Sequence, residues 1–116
     1  MPVTNLTFDN KVGDTDTPYN IAGGDKLFKK PANRNDSFNI QVIWSGLDET
    51  DGSVTAQGSN DNTNFDDLPA PNQILLNSAN GSASMQCAKC DAAHHAANLN
   101  VGTATVGNVT ILLNEN

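Results

Sequence analysis

No run of about 18 apolar residues occurs in this chain, so no segment is long and apolar enough to cross a bilayer as a helix. The start, Met-Pro-Val-Thr-Asn-Leu-Thr-Phe-Asp, also lacks the basic residues and apolar stretch of a secretory signal. The expectation is a product made in a cytoplasm that stays soluble or joins an assembly, with no membrane insertion. On that expectation the Asn-x-Ser/Thr sequences at Asn5, Asn35, Asn80 and Asn108 carry no glycan. Large aromatic side chains are scarce, with one Trp, one Tyr and four Phe. A core built on so few is thin, and thin cores often gain burial by association. Positive charge is scarce too. Residues 36–116 hold only Lys89 against nine acids, while residues 1–35 hold five Lys or Arg against four Asp. An acidic body repels nucleic acid and anionic membrane surfaces, so neither is expected as a partner.

Catalytic motifs are missing as well. There is no Gly-rich phosphate loop, no nucleophile elbow and no His-Glu-x-x-His. An enzyme is not expected, and no catalytic or cofactor-binding residue is assigned. The one constellation with chemical promise is Cys87-Ala-Lys-Cys90, followed by His94 and His95. Two thiolates and an imidazole suit tetrahedral zinc. A lone Cys-x-x-Cys is half a site, however, and neighbouring His on an extended chain point to opposite sides. A redox pair would sit at a helix start in an α/β unit, which this sequence lacks. Inert thiols, zinc and a disulfide stay open, and no metal is assigned. The acidic stretches Asp48-Glu-Thr-Asp51 and Asp61-Asn-Thr-Asn-Phe-Asp66-Asp67 offer oxygens for calcium, yet neither has the spacing of an EF-hand loop. Turn-forming bonds from Asp and Asn side chains to backbone explain them better.

What the chain does have is two-residue alternation. Phe38, Ile40, Val42 and Trp44 fall on one side, and Ser37, Asn39, Gln41 and Ser45 on the other, the period of a half-buried strand. Strands are expected near 37–45, 53–58, 64–68, 73–77, 82–87, 95–101 and 107–113, divided by turn signals. Asn80-Gly81 is the sharpest of these signals and predicts a type I′ hairpin turn. Val3 to Phe8 reads as a first strand or an arm, and residues 10–35 as a loop-rich segment with one or two short strands. The fold class expected is all-β, a single β-sandwich of seven to eight antiparallel strands, jelly-roll-like or immunoglobulin-like. Residues 1–35 form an extended N-terminal arm in this reading, and residues 36–116 the sandwich core.

Three segments, Ser37–Trp44, Asp51–Leu68 and Gly107–Asn114, together resemble small virion proteins of bacteriophages. The Ser-Asn-Asp tip within the second segment also resembles the hairpin of discoidin-type carbohydrate-binding sandwiches. The first resemblance implies a capsid decoration, penton, spike or head-fibre component located in the virion. It implies a homotrimer or homopentamer, with the major capsid protein or another virion protein as partner. The second implies an adhesion module or, where the two overlap, a spike that meets a host surface glycan. Residues 85–98 depart from the virion pattern, with Cys, Ala and His where an aromatic- and Arg-bearing strand is expected.

Overall fold

The alternation over residues 38–45 does become a strand, in a computed structural model that describes residues 4–7, 18–31, 38–69, 72–87 and 92–115. In chain order the strands are β1 (Thr4–Thr7), β2 (Tyr19–Asn20), β3 (Lys26–Pro31), β4 (Phe38–Ser45) and β5 (Gly52–Ser59). They continue as β6 (Asp66–Asp67), β7 (Gln73–Leu76), β8 (Gly81–Cys87), β9 (His94–Asn100) and β10 (Asn108–Glu115). All pairings are antiparallel. Each of the seven strands expected after residue 36 is present, most within a residue or two of the expected ends.

The strands form two sheets packed as a sandwich. In sheet A, β1 and β2 lie end to end along one side of β10 and act as a single lane, followed by β10, β4 and β8. In sheet B, the order is β3, β9, β5, with β6 and β7 end to end along the remaining side of β5. Counted as lanes in chain order, the first pairs with the eighth, the second with the seventh, the third with the sixth and the fourth with the fifth. A strip of antiparallel pairs has been rolled into two facing sheets, which is the strand order of a jelly roll. An immunoglobulin sandwich groups its strands ABED and CFG and does not close its ends in this way. The described residues hold ten strands, above the expected seven to eight, because two edge lanes are each split into short pieces.

The core lies between the sheets. Ile40, Val42 and Trp44 of β4 and Val109 and Ile111 of β10 face Val54, Ala56, Ala97 and Leu99 from sheet B across one continuous cluster. Each large aliphatic side chain buried there contributes about 1.5–3 kcal/mol. Residues ahead of position 36 join both sheets, and Ile21 and Phe28 are buried in the same cluster. Residues 1–3, 8–17 and 32–35 of the N-terminal segment lie outside the described residues.

Asn80-Gly81 is a correction. Neither residue has a positive φ, so no type I′ turn forms there. The reason is topological: β7 belongs to sheet B and β8 to sheet A, so residues 77–80 cross between sheets and do not close a hairpin. Asn80 instead accepts a hydrogen bond from the Gly46 amide through Oδ1 at 3.0 Å. Gly81 is needed for close approach, since a Cβ there would sit 2.7 Å from Cζ2 of Trp44. Gly81→Ala is expected to destabilise the domain by about 1–3 kcal/mol through overpacking against the indole. Chemical denaturation of the variant beside the parent checks this, and an unchanged midpoint would refute the close approach.

Candidate interaction surface

Two ends and two outer faces are exposed by this roll, and ionisable groups are distributed unequally among them. At one end, the loops after β2, β4, β7 and β9 are tied together by side chains. Asp25 Oδ1 accepts from the Val101 amide at 2.9 Å, and Trp44 Nε1 donates to the Ser78 carbonyl at 2.9 Å. Asp48 accepts from the Thr105 hydroxyl at 2.6 Å and from the amides of Thr105 and Val106 at 2.8 and 3.1 Å. These donors, the Thr105 hydroxyl foremost, hold its carboxyl at about 2 against an ordinary 3.8. Asp51 takes the Thr103 amide and hydroxyl, which lower its pKa in the same way.

At the opposite end, Asp61 organises the loop between β5 and β6. It accepts from the amides of Asn64 and Thr63, from the Asn64 side chain and from the Ser59 hydroxyl, all at 2.7–2.9 Å. Those donors push its pKa well below the usual carboxylate range, the Asn64 amide most. Its bonds are local, as turn chemistry predicts; those of Asp48 and Asp51 reach the far loop of 101–107. Of the carboxylates weighed as calcium ligands, Asp48, Asp51, Asp61 and Asp67 thus have oxygens engaged by protein donors. A concavity of about 350 Å³ beside Asp61, Asp66 and Asp67 is bounded by this same loop.

Cys87 and the two histidines also lie towards this second end. Cys87 is buried at the end of β8 on the core side, and Cys90 lies outside the described residues. His95 is fully buried on the inner face of β9, directly opposite Gly58, while His94 falls on the outer face. The two rings point to opposite sides of the strand, as an extended chain requires. The His94 Nδ1 is buried and has no hydrogen-bond partner among the described residues. Among the described residues no group of three His, Cys, Asp or Glu is arranged to hold a metal ion.

Sheet A differs from the ends. Its outer face presents Asn39, Gln41, Ile43 and Ser45 from β4, Ser82, Ser84 and Gln86 from β8, and Asn108, Thr110 and Leu112 from β10. None is ionisable, in a chain of net charge −7. Ile43 in its middle is 41% exposed. Along the flank between the sheets, β7 and β8 border a groove of about 580 Å³. Trp44, Ile74 and Met85 form its buried floor, and Gln73, Leu75, Asn77, Ser82, Ser84 and Gln86 its exposed rim. Residues 68–88, which supply nearly all of it, contain no charged residue. This surface was not singled out among the candidate site residues, although the uncharged run that builds it is visible in the sequence.

The chain matches no protein-family model and no curated protein.

Proposed function

We propose that this chain is a non-enzymatic structural protein of a bacteriophage particle. In this reading it is a capsid decoration, penton, spike or head-fibre component made in the host cytoplasm. It assembles as a homo-oligomer of three or five copies and joins the major capsid protein or another virion protein. The observation that carries the reading is the uncharged outer face of sheet A with its flanking groove, on a molecule of net charge −7. Two like-charged copies repel over most of their surface, and an uncharged face is where they can meet without that cost. The resemblance of the 37–44, 51–68 and 107–114 segments to small virion proteins supports the same reading. So does the jelly-roll order, which viral capsid domains share with lectins.

The lectin kinship keeps a carbohydrate-binding or adhesion role as the second reading, favoured by the Gln, Asn and Ser rim of the groove. Against it, the aromatic platforms that sugars stack on are poorly supplied. Trp44 is 5% exposed, and the Tyr19 ring is engaged edge-on by Phe28 at 5.4 Å with the Lys26 ammonium 5.7 Å from its centroid. Sedimentation of the purified chain separates the two. A closed trimer or pentamer is the expected result. A monomer at every concentration that also binds glycans on an array would replace the virion reading with the second.

A further inference from the structure

Asn80-Gly81 is the only Asn-Gly step in the chain, at the end of the crossover from sheet B to sheet A. Asparagine is thermolabile, and most so before glycine, whose nitrogen reaches the neighbouring side-chain amide with no Cβ in the way. Four hydrogen bonds fix this crossover. Trp44 Nε1 donates to the Ser78 carbonyl at 2.9 Å, and the Leu47 amide to the Ala79 carbonyl at 3.1 Å. The other two fall on the groups that would react. The Gly46 amide donates to Asn80 Oδ1 at 3.0 Å, the oxygen on which negative charge gathers when the side-chain carbon is attacked. The Ser78 hydroxyl donates to the Asn80 main-chain carbonyl at 2.9 Å, which draws electron density from the Gly81 nitrogen and makes its proton easier to lose. Asn80 is exposed, so water reaches it. Gly81 is the first residue of β8, so only the terminal pair with Trp44 has to open. Asp51-Gly52 is the opposite case: the Thr103 amide and hydroxyl hold its carboxylate in the charged form, which resists attack by an amide nitrogen.

We propose that Asn80 is a self-modification site of the folded chain, where the Gly46 amide and the Ser78 hydroxyl promote its conversion to aspartate or isoaspartate. The Gly81 nitrogen gives its proton to hydroxide and forms a bond to Asn80 Cγ. The Cγ–Nδ2 bond then breaks, and the side-chain nitrogen leaves as ammonia after taking a proton from water. Water opens the resulting succinimide ring at either of its two carbonyls. Opening at Cγ gives aspartate, and opening at the former main-chain carbonyl gives isoaspartate. The net change is amide plus water to carboxylate plus ammonium, with nothing oxidised or reduced. The two products differ in consequence. Aspartate keeps an oxygen for the Gly46 amide and places the first charge in the uncharged run of residues 68–88. Isoaspartate lengthens the main chain by a methylene just ahead of Gly81, where a Cβ would already meet Trp44 Cζ2 at 2.7 Å, so that product folds less stably.

The test incubates the purified full chain at mildly alkaline pH, folded in buffer and unfolded in guanidinium chloride. Mass spectrometry of the peptide holding residues 77–81 follows the exchange of an amide NH2 for OH, and chromatography separates the aspartate and isoaspartate forms. The parent is run beside Ser78→Ala, which removes the hydroxyl, and Ser78→Thr, which keeps one. In buffer, Ser78→Ala is expected to convert several-fold more slowly than the parent, and Ser78→Thr at close to the parent rate. In guanidinium chloride all three should convert at one rate, since the hydroxyl then has no fixed position. The parent is also expected to convert at least as fast folded as unfolded, a comparison that needs no variant to fold. If Ser78→Ala keeps the parent rate in buffer, the reaction belongs to the dipeptide alone and the proposal is overturned. A parent that converts more slowly in buffer than in guanidinium chloride would overturn it too, because the β8 ladder would then protect Asn80 and the two donors would not promote the reaction.

Discussion

Trp44→Ser is expected to leave the domain largely unfolded under conditions where the parent is folded. The indole is 5% exposed in a core with no other tryptophan, and it stands where β4, β8 and the crossover of residues 77–80 meet. Removing a buried ring of this size costs about 3–5 kcal/mol. The Ser78 carbonyl, which accepts from Nε1 at 2.9 Å, loses its partner as well, at about 1–3 kcal/mol. Against a typical domain stability of about 5–15 kcal/mol, that sum consumes most of the margin. Urea unfolding followed by far-UV circular dichroism reads the effect. Trp44→Phe separates its two parts, since it keeps most of the ring volume and loses only the Nε1 donor. A Trp44→Ser variant that melts with the parent would mean that the face of Ile40, Val42 and Trp44 does not anchor the sandwich.

That face was legible because its signal is local. Burial on one side of a strand imposes the two-residue period directly, so β4, β5, β7, β8, β9 and β10 could be placed from residue order alone. The jelly-roll order could not. It depends on which distant lanes pair, such as β3 with β9 and β1 with β10, and alternation is the same whichever neighbour a strand chooses. Asn80-Gly81 shows how local chemistry misleads. The dipeptide suits a hairpin turn, but the chain crosses between sheets there, and Asn80 and Gly81 serve Gly46 and Trp44, far away in sequence. Asp48 and Asp51 are similar, with partners 52 to 58 positions along the chain that no turn rule identifies. The groove lies in between. Its uncharged run, residues 68–88, is written in the sequence, yet it spans two strands in different sheets. Only the roll makes one surface of them.

The long-range carboxylates lead to the second large effect, a loss of stability in acid that begins only well below neutral pH. Asp48, Asp51 and Asp61 all have pKa values in the folded chain below the ordinary 3.8, Asp48 at about 2. A carboxyl whose folded value lies below its unfolded value binds fewer protons when folded, so stability rises with pH across that interval. The contribution of each group is therefore complete above about 3.8 and is lost as pH falls through its folded value. For Asp48 that window runs from 3.8 down to about 2. The donors are neutral amides and hydroxyls rather than ammonium or guanidinium groups, so added salt should leave the contribution nearly intact, unlike a screened ion pair. Thermal melts from neutral pH down to 2 should show a flat region and then a steep fall in this window, with little dependence on ionic strength. Asp48→Asn removes the titration while keeping an oxygen that accepts hydrogen bonds. It should melt lower at neutral pH, where the charged form is the better acceptor, and approach the parent as pH falls towards 2. If parent and variant instead differed by the same amount at every pH, the Asp48 carboxylate would contribute only its shape, and the tie between the 46–51 and 101–107 loops would not depend on its charge.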